Sequence, residues 1–128
     1  MKNLLTVTLA LLTGVGIGAV AVQSLHAQAK PPAYVIAEID IVHQDEFEKE
    51  YVPAGSRAVL AGGAKYLSRG ARTAAIKGEP PKRIILLTFE NLDRAQATFA
   101  SPAFTEAAAI GEKYARFRIY AVEGVPPQ

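Results

Sequence analysis

The sequence predicts an α+β domain in which a four-stranded antiparallel sheet carries helices on one of its faces. Three observations support this fold class. Four short segments have the two-residue alternation, or the short β-branched apolar run, that is typical of strands. The segments between them carry apolar residues at helical spacing, and the resulting order is β-α-β-β-α-β. With right-handed crossovers, this order covers one sheet face with helices and leaves the other face bare.

The first strand is predicted at residues 33–41, where apolar and polar residues alternate. One face carries Val35, Ala37, Ile39 and Ile41, and the opposite face carries Tyr34, Ile36, Glu38 and Asp40. Residues 43–61 follow as a helix with acidic residues in its first turn, where the helix dipole favours negative charge. Pro53 removes one backbone donor from this helix, so we expect a kink or two shorter helices.

The second strand is predicted at residues 64–70. The preceding helix ends at Gly62 and Gly63, because glycine closes a last helical turn at little steric cost. Regular alternation places Lys65, Leu67 and Arg69 on one side of the strand and Tyr66 and Ser68 on the other. Residues 71–81 form a long connection that contains one glycine and two consecutive prolines.

The third strand is the apolar run 84–89, which is typical of a strand buried on both faces. A helix begins directly after it, because Asn91 can accept a hydrogen bond from a free backbone N–H of the first turn. Ser101 and Pro102 begin a second helical segment that extends to about Tyr114. The last strand, residues 116–123, places Phe117 and Ile119 on one side and Arg116, Arg118 and Tyr120 on the other.

Together these elements predict a ferredoxin-like βαββαβ sandwich, as a single domain over residues 30–128. The first and third strands are expected to lie in the centre of the sheet and to run parallel. The last strand is expected beside the first, and the second beside the third. A domain of 99 residues buries only a modest core, so we expect a second copy to cover the bare sheet face.

Six short fragments, spread over residues 34–125, have the order and spacing of a known family. They are Gly62 and Gly63, Ser68 to Gly70, Gly78, Thr88 to Glu90, Ser101 to Phe104, and Val122 to Gly124. In these fragments the chain resembles the domain-of-unknown-function family 1330 (DUF1330) of the dimeric α/β barrel superfamily. The resemblance implies a homodimer whose two sheets form one barrel, and it brings no agreed catalytic residues. The chain departs from the family at Thr98 and Phe99, where an aromatic pair is usual, and at Phe104, where tyrosine is common.

Residues 1–29 are predicted to be a secretory signal peptide, cleaved after Ala29. They combine a basic start at Lys2, an uncharged stretch from Leu4 to Val22 and a small-x-small pattern at Ala27 to Ala29. The alternative is a retained membrane anchor, because an uncharged stretch of this length can span a bilayer. The signal peptide predicts a periplasmic or secreted bacterial protein, with no membrane partner after cleavage.

Composition excludes several classes of function for the mature chain. Without Lys2 it has 13 basic and 12 acidic residues, a balance that argues against nucleic acid as the principal partner. No cysteine is present, which excludes thiolate catalysis and disulfides. His43 is the only mature histidine, so neither a metal site nor a catalytic triad is predicted. No nucleotide-binding loop follows a strand, and no cofactor is predicted.

Charged and aromatic side chains are expected to meet on the uncovered face of the sheet. The candidate ligand-binding residues there are Tyr34, Glu38, Asp40, Arg69, Arg118 and Tyr120. In this hypothesis the arginines hold an anionic or carbonyl group, Glu38 or Asp40 accepts a proton, and the tyrosines form aromatic walls. The alternative is that the same charges only form ion pairs across strands or subunits.

Three functions from different classes follow from this interpretation. The first is an exported homodimeric module that binds a small, partly apolar molecule. The second is a cofactor-independent enzyme, because relatives in the wider superfamily include monooxygenases and isomerases of small organic substrates. The third is a structural or stress-related homodimer without a ligand. The sequence favours the binding module and identifies no catalytic residue.

Overall fold

The structure, a computed structural model, describes residues 30–128, and the predicted signal peptide lies outside them. Its elements are β1 (Ala33–Ile41), α1 (Gln44–Glu46), a π-helical turn π1 (Phe47–Tyr51), α2 (Val52–Ala61), β2 (Lys65–Arg69), β3 (Arg83–Phe89), α3 (Leu92–Phe99), α4 (Pro102–Gly111) and β4 (Ala115–Glu123). The order of these elements is the predicted β-α-β-β-α-β.

The four strands form one sheet in the order β2-β3-β1-β4, and each neighbouring pair is antiparallel. The predicted neighbours and the α+β fold class are therefore confirmed. The prediction that the first and third strands run parallel is wrong, because Ala33 lies opposite Phe89 while Ile39 lies opposite Arg83. β3 returns from β2 and inserts between β2 and β1, which reverses its direction relative to both neighbours.

The helices cover the face of the sheet that sequence alternation predicted to be apolar. In β1, Val35, Ala37 and Ile39 are almost completely buried, whereas Tyr34 and Asp40 on the other face are exposed. The main core also contains buried residues of β3, of the helices and of the turn just before β2. They are Leu87, Phe89, Ala58, Val59, Ala95, Phe104 and Ala64. Burial of this apolar surface is the main interaction that holds the helices on the sheet.

The interruption predicted for the first long helix occurs as a π-helical turn just before Pro53. The backbone N–H of Val52 donates to the carbonyl of Phe47, five residues earlier, instead of the usual four. Pro53 has no N–H to donate and crowds the turn before it, so one wider turn fits the chain at this position. The helical path then continues to Ala61.

The two later helices begin at the predicted capping residues. Asn91 Oδ1 accepts a hydrogen bond of 2.8 Å from the backbone N–H of Arg94. Ser101 Oγ accepts one of 3.3 Å from the backbone N–H of Phe104. These bonds satisfy donors that have no partner within the helix.

Candidate functional site

The uncovered face of the sheet holds five of the six residues that the sequence proposed for a site. Tyr34, Glu38 and Asp40 lie on this face of β1, and Arg118 and Tyr120 lie beside them on β4. Glu38 is directly opposite Arg118 in the antiparallel pairing. The alternation in these two strands was therefore interpreted correctly. Ligand binding by these residues stays a prediction.

The polar groups on this face find partners in one another. Tyr120 donates a hydrogen bond of 2.7 Å to Glu38 Oε2, and this bond is the main cause that raises the pKa of Tyr120. Lys82 Nζ lies 3.5 Å from Asp40 Oδ1, and the Arg118 guanidinium lies 5.6 Å from the centre of the Tyr120 ring. The carboxylates of Glu38 and Asp40 thus each have a partner among the described residues, and neither partner is an arginine.

Arg69 does not lie with these residues, and its predicted position on the uncovered face is wrong. A bulge at Leu67 inserts one extra residue into β2: Tyr66 lies opposite Leu87, but Arg69 lies opposite Ile85. Ile85 packs into the core beneath the helices. The extra residue reverses the alternation after it, so Arg69 and Tyr66 share the helix-covered side of the sheet.

That covered side contains a cavity between the sheet and the helices π1 and α2. Its volume is about 60 Å³, and most of its lining is apolar. The principal apolar residues of its wall are Phe47, Val59, Leu87, Phe99, Phe104 and Ile119. Apolar walls with a few converging polar groups are typical of small-molecule sites.

Three polar side chains meet at one end of the cavity. Tyr66 donates a hydrogen bond of 3.0 Å to Ser56 Oγ, which ties β2 to α2. Arg69 Nη2 donates to the same oxygen at 3.4 Å, and its guanidinium lies 4.7 Å from the centre of the Tyr66 ring. Ser56 and the face of Tyr66 therefore hold the exposed Arg69 guanidinium at the cavity.

Arg83, at the start of β3, contributes a second guanidinium to the cavity wall. Its Nε is buried, and within residues 30–128 it has no hydrogen-bond partner. The Phe47 ring lies 5.8 Å from this guanidinium, and a side chain on Gly70 would come within 3.0 Å of the same Nε. A buried donor without an acceptor costs free energy.

Tyr51, the last residue of π1, lines the cavity beside these groups. Burial, with a smaller effect from Tyr66, raises the pKa of Tyr51 to about 12. Its ring fits closely between two helices, because a Cβ added to Gly55 or to Gly111 would lie 2.8 Å or 2.6 Å from it. The phenol therefore stays protonated at neutral pH and can act only as a donor or as a neutral acceptor.

The cavity is cationic in its polar part. Of the residues that line it, none in the part of the chain that the structure describes is a carboxylate or a histidine. Neither Arg69 nor Arg83 forms an ion pair with any residue between 30 and 128. The guanidinium groups are thus available to an anionic or electron-rich oxygen, for which arginine provides several donors.

Sequence reasoning placed Arg69 in a site but missed four polar neighbours. These are Tyr51, Ser56, Tyr66 and Arg83. The signal that could have found two of them, Tyr51 and Ser56, is the irregular helix around Pro53 and Gly55, since π-helical turns often occur at functional sites. The position of Arg83 depends on how β3 pairs with β2, and nothing in its own sequence context indicates it.

The described residues contain neither a cluster of metal ligands nor a membrane-spanning helix. Within 30–128, no three side chains among histidine, cysteine, aspartate and glutamate lie close enough together to hold a metal ion. No helix in this same part of the chain has the length and hydropathy to cross a bilayer.

The sheet order and the helices on one face define a ferredoxin-like α+β fold. The chain belongs to the family described as Domain of unknown function (DUF1330), whose profile matches residues 32–125. The family resemblance in the sequence is therefore confirmed over the whole of the folded domain.

Three solved structures illustrate the likeness of fold. A protein of unknown function from Rhodopseudomonas palustris is 13% identical, with a TM-score of 0.58, and the match covers 84% of this chain and 94% of that one. A conserved protein of unknown function from Bacteroides thetaiotaomicron is 14% identical, with a TM-score of 0.51 and coverage of 75% and 100%. A mutant of the cofactor-independent oxygenase SnoaB from Streptomyces nogalater is 12% identical, with a TM-score of 0.51 and coverage of 73% and 93%.

At these identities the comparison establishes the fold and no activity. A comparison with curated protein sequences found no match to this chain. The function is therefore argued from the site itself.

Proposed function

We propose that this protein is a homodimeric module that binds a small molecule in the cavity between the sheet and the helices π1 and α2. One observation carries the proposal. The side chains of Arg69 and Arg83 both line one apolar cavity, and neither forms an ion pair with any residue in the range 30–128. An incoming anion would compensate these two positive charges.

Binding is favoured over catalysis by the side chains around the cavity. Acid–base chemistry needs a group whose pKa lies near the working pH, and such groups are usually histidine or carboxylate side chains. The lining within residues 30–128 offers arginines, a serine and tyrosines, and the pKa of Tyr51 is raised away from neutrality. On the uncovered face, Glu38 and Asp40 are engaged with Tyr120 and Lys82. A cofactor-independent enzyme would need a proton acceptor that is free in one of these places.

The second part of the proposal is that another copy of the chain covers the open sheet face. Large apolar side chains remain exposed there: the exposed fractions are 53% for Val122, 45% for Tyr120 and 37% for Tyr34. Ile36 and Leu86 extend the same surface on the two central strands. An apolar surface of this kind is typical of an interface, and a face that pairs with itself gives a closed dimer.

Sedimentation velocity at several concentrations tests this second part. We expect a species of twice the chain mass that dissociates when Ile36 is replaced by glutamate, because the charge would be buried without a partner. The matched control is Ile76→Glu, since Ile76 is 99% exposed in the connection between β2 and β3. A monomer at high concentration, or a dimer that only Ile76→Glu dissociates, would overturn the proposed interface.

We also propose that the mature protein is exported and begins at Lys30. The proposal rests on the basic start, uncharged stretch and small-x-small pattern of residues 1–29. Expression of the full chain followed by intact-mass measurement of the periplasmic fraction tests it. A mass that corresponds to residues 30–128 supports export and cleavage, and a full-length chain in the membrane fraction contradicts cleavage.

The binding site itself is tested by a fragment screen with 1H–15N NMR spectra. The mixture should contain neutral, cationic and anionic compounds of up to about eight heavy atoms. We expect at least one class to shift the backbone signals of Gly55, Ser56 and Tyr66, which line the cavity. A screen in which no compound of any charge shifts these signals would end the proposal.

A further inference from the structure

The covered cavity differs in character from one end to the other along β3. Arg83 is the first residue of β3 and Leu87 is four residues further on, which at about 3.3 Å per residue corresponds to roughly 13 Å. Beyond Leu87, Phe89 packs edge-on against Phe99 at 6.0 Å between ring centres. Arg83 therefore lies at the end of the cavity where β3 starts, Arg69 lies between the two ends opposite Ile85, and the aromatic end lies toward the finish of β3.

The aromatic end accepts only apolar groups. Phe99 packs against Phe104 with ring centres 4.6 Å apart, and both rings line the cavity together with the buried Leu87. A polar group placed here would lose its hydrogen bonds to water without compensation. The part of a ligand that reaches this end must therefore be hydrocarbon.

The cationic end requires an anionic head with more than one acceptor atom. Arg69 and Arg83 each present several N–H donors, and the described chain supplies no carboxylate to either one. The hydroxyl group of Tyr51 also has no hydrogen-bond partner within residues 30–128. A carboxylate can accept from two guanidinium groups and a phenol at once, because its two oxygens offer about four lone-pair positions.

The volume of the cavity limits the length of the hydrocarbon part. It measures about 60 Å³, roughly the share of two water molecules in the liquid. A cavity that accepts benzene measures about 150 Å³. The space beneath the helices therefore takes a tail of about three carbon atoms and excludes a fused aromatic system.

We infer that the cavity selects short aliphatic carboxylates, with the carboxylate between Arg69 and Arg83 and the hydrocarbon tail directed toward Leu87. This inference rests on the proposed binding function and names the chemical class of its ligand. Arg83 is the main anchor, because its side chain is partly buried and has less water to lose on binding than the exposed Arg69. Arg69 is exposed, so it recruits the anion from solvent and contributes less to affinity.

Isothermal titration calorimetry with straight-chain carboxylates from acetate to octanoate tests the inference. Each methylene that enters an apolar cavity contributes about 0.8 kcal/mol, so affinity should rise about fourfold per carbon from acetate to butyrate. It should stop rising by hexanoate, where the tail no longer fits. Affinity that does not depend on chain length would contradict an inserted tail.

The charge requirement is tested with butyramide, butylamine and inorganic phosphate. We expect butyramide to bind at least tenfold more weakly than butyrate, because it carries no charge for the two arginines. Butylamine should not bind, and phosphate should bind no better than acetate. Butyramide or butylamine that equals butyrate would overturn the choice of carboxylates while the binding site itself stands. Failure of every probe to bind would instead overturn the proposed function.

Three arginine variants separate a binding role from a structural one. We expect Arg83→Ala to weaken butyrate binding more than tenfold and Arg69→Ala about threefold to tenfold. In each variant the loss of binding free energy should exceed the loss of stability that the melting temperature reports. Arg116→Ala, on the exposed face of β4, should bind within twofold of the unaltered protein. Where Arg83→Ala fails to fold, Arg83→Lys retains the charge but loses Nε and should still weaken binding. Equal affinity in Arg83→Lys and the unaltered protein would contradict the anchor.

Discussion

The hydroxyl group of Tyr66 donates a hydrogen bond of 3.0 Å to Ser56 Oγ and so joins β2 to α2 across the cationic end of the cavity. The same oxygen accepts from Arg69 at 3.4 Å. One small side chain on the helix thus fixes both the aromatic ring on which Arg69 stacks and the guanidinium itself. The arrangement depends on a bulge that brings Arg69 to this side of the sheet.

Ser56→Ala should lower the free energy of unfolding by about 1 kcal/mol, because the partly buried Tyr66 hydroxyl loses its acceptor. Urea denaturation measures this change. Ser68→Ala is the matched control: Ser68 lies on the uncovered side, and its hydroxyl makes no hydrogen bond within residues 30–128. Equal losses in the two variants would mean that the link between β2 and α2 contributes nothing.

Deletion of Leu67 should leave Arg69 at the cavity. Leu67 is the extra residue of the bulge and is 57% exposed, and without it Tyr66 and Arg69 keep their places opposite Leu87 and Ile85. We expect the variant to fold and to bind butyrate within about threefold of the unaltered protein. If the deletion abolishes binding while the far-ultraviolet circular dichroism is unchanged, the bulge has a further role in shaping the site.

Gly111→Ala should destabilise the protein, although alanine is ordinarily better than glycine in a helix by about 1 kcal/mol. The new Cβ would lie 2.6 Å from Tyr51 Cδ2 and 2.9 Å from Phe117 Cζ. Overpacking of this kind typically costs about 1–3 kcal/mol. Chemical denaturation gives the sign, and a stabilised variant would show that the Tyr51 ring is not confined as described.

Tyr51→Phe should remove part of the loss of stability at alkaline pH. The pKa of Tyr51 is about 12 in the folded protein, against about 10 for an unfolded tyrosine, because burial favours the neutral phenol. The stabilisation that comes from burying the neutral phenol is complete below pH 10, and about 3 kcal/mol of it is lost as the pH rises through 12. The difference between the unfolding free energies of the two proteins at pH 9 and pH 11.5 measures this contribution. A constant difference would contradict the burial of the hydroxyl.

Much of the fold could be predicted because its signals are local. The alternation in β1 and β4 assigned Tyr34, Glu38 and Tyr120 to the correct face, and the side chains of Asn91 and Ser101 marked where α3 and α4 begin. These signals depend on neighbours within a few residues. The predicted direction of β3 was wrong because it depends on a distant feature, the return of the chain from β2 at the edge of the sheet.

The site could not be predicted in the same way, because it depends on register. One extra residue at Leu67 moves Arg69 from one face of the sheet to the other, and no local pattern announces such a bulge. Arg83 has an ordinary position at the start of a strand, and its significance lies in a buried Nε without a partner among residues 30–128. Only the assembled sheet brings these two guanidinium groups to one cavity.

The most direct test of the account is where a bound carboxylate lies. Isotope-filtered nuclear Overhauser spectra of the protein with butyrate report which side chains touch the methyl group. We predict contacts from the methyl protons to Ile85 or Leu87 beneath the helices. Contacts only to Tyr34 and Tyr120, on the uncovered face of the sheet, would contradict it.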